Sequence, residues 1–485
     1  MIKSILRWLM VALLGLLLVL VVNTLRTKPW PVHPSDASLY PLPDSAIRHM
    51  SQAIQIPTIS INDSAALDSA AFHAFGAFLR RSYPLLHQHL TQTVIRQFSY
   101  VYEWKGRDTS LAPIVLMGHY DVVPVEAAVI KQWTVPPFSG TITDSCIWGR
   151  GSVDDKSGVI AILEATEALL RKGFVPQRTI FLCFGHDEEI RGPSAGPVAQ
   201  YLDQQGVRAE MVLDEGGELS ESKTKELGRP LAVIGIAEKG YASFELFVNK
   251  EGGHSSIPEK ETAIDILSAA LYRLRTTTPP SRLTPPVREF LTRIGSSSNN
   301  FLHRMAATNL WLFDGAARSI LSAQPEGSAL VHTTIVPTVL TAGVKDNVVP
   351  TTATAIVNTR ILPGETSLTV EEFIRTAIAD DRVKIKKTGR FASEPSAVTS
   401  LGSPALKRLE SALYRTIPNV LPAPYLMAGG TDSRFYRRIS DGVVNFFPQT
   451  EGKGIHGINE RLPIPDLQRG IHFITAIIEE SDRRF

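Results

Sequence analysis

The sequence predicts an α/β protein: a main domain on a mostly parallel sheet covered by helices, interrupted by an inserted α+β domain of β-α-β-β-α-β order. Three observations carry this. First, the strand-length runs in APIVLMGHYDVVP (112–124), RTIFLCFGHDEE (178–189) and AEMVLDEGG (209–217) are apolar throughout rather than alternating. Strands buried on both faces read that way, and helical patterns alternate with them. Second, beyond residue 235 the strand patterns turn half-exposed and alternating. Third, each apolar run ends in charged residues, where open parallel sheets bind ligands.

Composition narrows the class. The 485 residues are enough for two to four domains. Fifty Lys+Arg against 48 Asp+Glu leave a net charge of +2, without the basic excess of a nucleic-acid binder. The 34 glycines and 32 prolines are not periodic, which excludes collagen-like and low-complexity chains. Cys146 and Cys183 cannot build a disulfide scaffold or a four-cysteine zinc site, and Cys183, within TIFLCF, reads as a buried thiol.

The elements follow in order. Residues 8–22 (WLMVALLGLLLVLVV) are uninterrupted apolar residues flanked by Lys3, Arg7, Arg26 and Lys28. No small-x-small cleavage site follows, and a buried soluble helix would carry some polar residues. Residues 1–26 are therefore expected to be an uncleaved signal-anchor, although the run falls short of the ~20 residues of a full span. Lys3 and Arg7 would stay cytoplasmic and the body would lie outside, while Arg26 and Lys28 weaken that asymmetry. Residues 27–45 are proline-rich and read as a linker or wrapping arm.

Residues 46–235 open with helical patterns at 47–57 and 73–86, and 158–173 (GVIAILEATEALLRKG) is a helix closed by Gly173. The inserted domain is expected over 236–395. Its strands are 241–249, 329–343 and 352–361, and its helices 261–275 and 367–381. Residues 276–329 exceed what that domain needs and read as an elaborated loop with short helices. Residues 396–485 return to the main domain with a helix at 404–417 and a strand at 443–448.

Chemistry concentrates in GHYDVVP (118–124), GRGSVDDKSG (149–158), GHDEEIRG (185–192), LDEGG (213–217), GGHSS (252–256), GGTDSRFY (429–436) and IHGINE (455–460). His119 and His456 are candidate imidazole ligands, and Asp154, Glu188, Glu189 and Asp214 are carboxylates in separate strand-end loops. Two histidines and several carboxylates without cysteine suit two zinc ions sharing a carboxylate, and suit cobalt or manganese nearly as well. Uncompensated, such acids would repel one another and raise each other's pKa. Asp155 is the expected N-cap of the helix that follows.

These motifs resemble the di-zinc aminoacylase/carboxypeptidase family of exopeptidases, nearest its carboxypeptidase S and secreted N-acyl-amino-acid hydrolase branch. GHYDVVP, WGRGSVDDKSG, GHDEEIRG, GGTDSRFY and HGINE stand in that family's order, across about residues 45–485. The resemblance implies that Asp154 bridges two metals. Glu189 and His456 would complete one site, and His119 and Asp214 the other, with Glu215 a rival to Asp214. Asp121 would hold the His119 ring. Glu188 would be general base toward a metal-bridged hydroxide, and His254 would stabilise the oxyanion, supplied by a partner subunit in dimeric relatives. Asn347 and Arg360 would hold the substrate carbonyl and carboxylate, with Gly430, Thr431 and Asp432 lining the pocket.

The expected activity is a Gly-Xaa carboxypeptidase that releases a C-terminal amino acid. An N-(fatty-)acyl-amino-acid amidohydrolase is the alternative, and a non-catalytic binding protein the distant one. The implied partners are a small peptide or N-acyl-amino-acid substrate, the membrane through the anchor, and a second copy in a homodimer.

Overall fold

The computed structural model describes residues 1–33, 42–62, 67–220, 224, 227–450 and 454–485. The chain opens with α1 (Ile2–Arg26), α2 (Asp44–Ile54), α3 (Ser69–Ser82) and α4 (Pro84–His89). Strands β1 (Thr91–Ile95), β2 (Ser99–Trp104), β3 (Ile114–His119) and β4 (Cys146–Trp148) follow. Next come α5 (Lys156–Arg171), β5 (Ile180–Gly185), α6 (Ala195–Gln204), β6 (Met211–Asp214), β7 (Glu218–Ser220) and β8 (Leu231–Glu238). The middle of the chain holds β9 (Gly240–Asn249), β10 (Gly253–His254), α7 (Ala263–Thr276), α8 (Pro285–Ser296), α9 (Phe301–Thr308), α10 (Leu310–Ser322) and α11 (Pro325–Val331). It continues through β11 (Thr334–Ala342), β12 (Val348–Val349), β13 (Thr352–Ile361), α12 (Ser367–Ile378) and β14 (Lys384–Ser393). Last are α13 (Pro404–Thr416), β15 (Leu421–Met427), β16 (Val443–Asn445), β17 (Arg461–Pro463) and α14 (Ile464–Glu479).

The large sheet runs β1-β2-β5-β3-β6-β16-β8-β15, with β7 on β8. The stretch β5-β3-β6-β16 is parallel, as is β8-β15. Its central strands are apolar up to their C-terminal ends because helices cover both faces. Ile114, Leu116, Ile180 and Leu182 pack with Val159, Ile160 and Leu163 of α5. Val115, Met117, Phe181 and Cys183 face Val198, Ala199 and Leu202 of α6. Cys183 is buried and free, as its surroundings in the sequence predict.

The small sheet, β11-β13-β9-β14, is antiparallel throughout. Ala242, Phe244, Leu246 and Val248 of β9 pack with Ile266, Leu267 and Ala270 of α7 and Val370 and Ile374 of α12. The expected β-α-β-β-α-β order is present. The insert starts later than residue 236, however: β8 pairs in parallel with β15 of the large sheet through Glu238, and the small sheet begins at Gly240.

Residues 276–329 carry the expected short helices. They form α8, α9 and α10, and α8 packs on the edge of the large one. Val287 of α8 joins Ala237, Leu330, Val331 and Leu426, and Phe290 and Ile294 press on the cluster of Leu231, Leu421 and Ala423. The apolar edge strand β15 needs a cover, and this segment supplies it. Residues 28–33 form a packed arm: Trp30 donates to Tyr414 Oη at 2.9 Å, and the Arg293 guanidinium lies 3.9 Å from its ring centre. Residues 34–41 of the expected linker lie outside the described residues.

A buried ionic knot joins the sheet to the C-terminus. Glu210 accepts from Arg178 Nη1 at 2.7 Å and from Arg408 Nη2 at 2.5 Å, while Arg178 Nε donates to the Ser481 carbonyl at 2.7 Å. Both arginine side chains are fully buried. Removing the anion strands two cations in the core. Glu210→Ala is therefore expected to cost about 3–5 kcal/mol, read as a lower urea midpoint with unchanged slope.

Candidate active site

The site forms where β3, β5 and β6 end. His119 closes β3. Gly118 precedes it because a Cβ there would stand 2.8 Å from Asp155 Oδ2. Asp155 caps α5 as expected, accepting from Gly158 N at 3.2 Å, and its second oxygen accepts from His119 N at 3.3 Å. Glu460 orders the same loop from the other side. It accepts from Arg150 Nη1 at 2.6 Å and from Val153 N at 2.9 Å, which ties the 455–460 loop to the 149–158 loop.

Asp154 stands between two imidazoles. Its Oδ1 lies 3.0 Å from His119 Nε2 and its Oδ2 3.2 Å from His456 Nε2. Glu215 Oε1 lies 3.4 Å from His119 Nε2, and Glu189 Oε2 lies 3.0 Å from His456 Nε2. Two donor groups result, His119–Asp154–Glu215 and Asp154–Glu189–His456, each with its ligand atoms within 4.8 Å of one another. Glu189 Oε1 is buried with no hydrogen-bond partner, which suits a donor set made for cations. Imidazoles and carboxylates without thiolates fit zinc, cobalt or manganese.

One expectation is corrected here. Asp214 does not join the cluster. Its Oδ2 accepts from Thr431 Oγ1 at 2.8 Å and from Ser433 N at 2.9 Å. Thr431 and Ser433, themselves bonded by Asn445, hold the Asp214 carboxylate. The rival residue Glu215 stands beside His119 and Asp154 instead.

Asp121 is fully buried against His119, its Oδ1 3.3 Å from Nδ1, and it also accepts from Ser60 Oγ at 2.7 Å. It further accepts from the backbone N–H groups of Glu188 and Glu189 at 3.2 and 3.1 Å, so one carboxylate fixes both the ring and the acidic loop. Glu188 borders a small cavity with His119, Gly185, Asp214 and Asp432.

The electrostatics follow from crowding acids under cover. Burial, and then the carboxylates of Asp432, Glu215 and Asp121, hold the Glu188 carboxyl well above the usual range against the pull of His119. Burial and Asp154 push Glu215 up to about 7. Hydrogen bonds that His456 donates to Asp154 and Glu189 raise its pKa to about 10. Burial works against the Asp154 carboxylate, but the two imidazoles hold its pKa below the ordinary value.

The other expected residues separate. Arg360, on β13, opens on a cleft of about 450 Å³ that Arg191, Lys239, Tyr241, Gly430 and Arg434 also line. The guanidinium groups of Arg191 and Arg360 lie 3.8 and 5.0 Å from the Tyr241 ring centre. Thr431 and Asp432 are buried beneath the site, Thr431 bonding Glu238 and Asp214. His254 is exposed on a two-residue ribbon with β12, its Nδ1 2.7 Å from Ser256 Oγ. Asn347 is exposed beside that ribbon, its carbonyl accepting from Ser255 N, rather than on a strand next to Arg360. Neither His254 nor Asn347 joins the cluster within this chain. Sequence reasoning missed Arg191, Tyr241 and Arg434. Arg191, two residues past Glu189 in GHDEEIRG, was the most findable.

This fold and donor set define a class, the metal-dependent amide hydrolases. The chain belongs to peptidase family M20/M25/M40, which residues 115–480 match. It is 38% identical over 489 residues to a probable carboxypeptidase S-like 2 of Dictyostelium discoideum, covering 97% of this chain and 93% of that relative. It is 35% identical to the N-fatty-acyl-amino acid synthase/hydrolase of Mus musculus, covering 89% of this chain and 86% of that one. In fold it resembles an M20 family metallo-carboxypeptidase from Sulfolobus solfataricus, with a TM-score of 0.63 at 20% identity over 90% of this chain and 99% of that one. The protein is a hydrolytic enzyme, an M20 metallopeptidase of the branch its motifs resemble.

Proposed function

We propose that the enzyme hydrolyses the amide bond joining a glycyl or other acyl group to a C-terminal amino acid, as a Gly-Xaa carboxypeptidase. The observation that carries this is the cationic cleft of Arg191, Arg360 and Arg434 next to a carboxylate–imidazole cluster. A guanidinium fork suits the terminal carboxylate of a released amino acid. We assign Asp154, Glu189, His456, His119 and Glu215 to holding two zinc ions, with cobalt or manganese able to replace them. Bound there, the ions supply Lewis-acid polarisation of the scissile carbonyl and lower the pKa of water.

The chain's own residues do the rest. Arg360 and Arg191 fix the substrate carboxylate and so set the distance from the scissile bond to the acids. Asp121 keeps the His119 ring oriented. Glu188 takes a proton from the attacking water and returns it to the leaving amine. Burial raises its pKa, which strengthens it as a proton acceptor. Gly430 borders the cleft, and Thr431 and Asp432 support it from below. The small-sheet unit is the mobile cover that excludes water.

A homodimer supplies His254 to the oxyanion and Asn347 to the substrate. Supporting this, both are exposed and remote from the cluster in one chain, and edge strand β11 exposes Val336, Val339 and Leu340. Helix α1 is a membrane anchor that leaves the body outside the cytoplasm. It is long and apolar enough to cross a bilayer, and basic Lys3 and Arg7 precede its apolar run.

A second reading, an N-fatty-acyl-amino-acid hydrolase, keeps every residue role and draws on the Mus musculus relative. The test is amino-acid release by the zinc-loaded full chain from a blocked glycyl-leucine and a long-chain fatty-acyl leucine. Faster release from the first establishes the carboxypeptidase; faster release from the second selects the lipid amidase. Release from neither, with metal bound, overturns both.

A further inference from the structure

The corner between α9 and α10 is held to the end of α1 by one buried side chain. Asn309 Nδ2 donates to the Leu20 carbonyl of α1 at 3.2 Å and to Met305 O at 2.9 Å. Its Oδ1 accepts from Asn23 Nδ2 at 3.0 Å and from the Trp311 indole N–H at 3.2 Å. Thr24 and Thr308 hydroxyls meet at 3.3 Å. Leu20 and Thr24 are the buried residues of α1. At 1.5 Å per residue, Asn23 lies only about 4–5 Å along the axis from Arg26, the helix's basic end. Whatever depth that end occupies, Asn309 and Trp311 share it.

Helix α10 is amphipathic in the wrong sense for water. Trp311 (57% exposed), Leu312, Gly315, Ala316, Ser319 and Ile320 (72%) form one outward face by their spacing of four, and none is charged. Its two charged residues flank this face and are paired: Asp314 with Arg318 at 2.6 Å and with Arg288 of α8 at 2.7 Å. Arg318 also donates to the Ser281 carbonyl at 3.1 Å. Leu302 (65% exposed), at the start of α9, extends the apolar surface. An indole beside the end of an apolar helix matches the aromatic belt of a bilayer boundary.

We infer that this face is a second membrane contact, with α10 and the start of α9 lying on the same bilayer that α1 enters. The occupant is the lipid surface: the face is continuous with the anchor, lacks charge, and carries tryptophan at the depth where the anchor ends. The inference rests on α1 being an anchor. It implies that the body is held against the membrane rather than swinging on a tether.

The test uses the full chain in phosphatidylcholine/phosphatidylglycerol nanodiscs, in a Cys146→Ser background that leaves only buried Cys183. Spin labels are placed at Leu302→Cys, Leu312→Cys and Ile320→Cys. Leu13→Cys in α1 reports the anchor. Val94→Cys on β1 reports the far edge of the large sheet, opposite β15 where α8 packs. Peptide hydrolysis by each labelled protein checks its fold. Power-saturation resonance then compares collisions with oxygen, concentrated in lipid, and with a nickel chelate, confined to water. The expected oxygen-to-nickel ratio at 302, 312 and 320 is several-fold above that at 94 and approaches that at 13. Ratios equal to position 94, with 13 in lipid, overturn the inference and leave the anchor standing. Position 13 in water overturns the anchor and the inference together. Shielding from both reagents at 302, 312 and 320 identifies a protein neighbour and also overturns it.

Discussion

Replacing Glu188 with glutamine is expected to leave metal content unchanged and to lower kcat by about 10²–10⁴-fold, the range a positioned proton-transfer group contributes. Glutamine keeps the shape and the backbone N–H bond to Asp121, so the loop stays in place. It loses only the ability to accept a proton. KM should move little, because Glu188 borders the cavity beside His119 and Asp432 rather than the arginine-lined cleft. A fall in kcat with constant KM is the signature of an interaction made in the transition state. Steady-state kinetics with metal analysis on the same preparation checks it. Unchanged turnover would sink the assignment of Glu188 as base.

The second large effect separates the acids by geometry. Asp154 gives one oxygen to each donor group, so Asp154→Asn is expected to remove both ions and bring turnover to background. Glu215→Gln should empty only the His119 side. Asp214→Asn should retain both ions, since the Asp214 carboxylate is held by Thr431 and Ser433. Stability follows occupancy. An ion present at about 1,000 times its Kd stabilises the folded state by about 4 kcal/mol, so the Asp154 variant, losing two, should lose about twice that in zinc-containing buffer. Plasma metal analysis and thermal unfolding with and without chelator check the order. Metal loss from Asp214→Asn equal to that from Glu215→Gln would overturn the placement.

Much of this was legible in the chain. The apolar runs ending at His119, Gly185 and Asp214 announced strands covered on both faces, because only two-sided burial removes the polar alternation. Asp155 before an apolar helix announced its own cap. His119, Asp154, Glu189 and His456 stood in strand-end motifs, and the structure gathers those four. Each of these signals is local. It depends on periodicity, or on a spacing of a few residues.

The sequence by itself thus determined the fold class and the strand-end loops from which the cluster is built. Only the tertiary structure sets Glu215 beside His119 and Asp154 while Thr431 and Ser433 hold the Asp214 carboxylate. It also decided that α8 covers β15, and that Asp314 and Arg318 of α10 pair with each other beside its apolar face. His254 and Arg360 share the small-sheet unit, yet one stands exposed on a ribbon and the other faces the arginine-lined cleft. Helical or strand spacing tells which residues share a face; what that face meets is set by contacts between segments far apart in the chain.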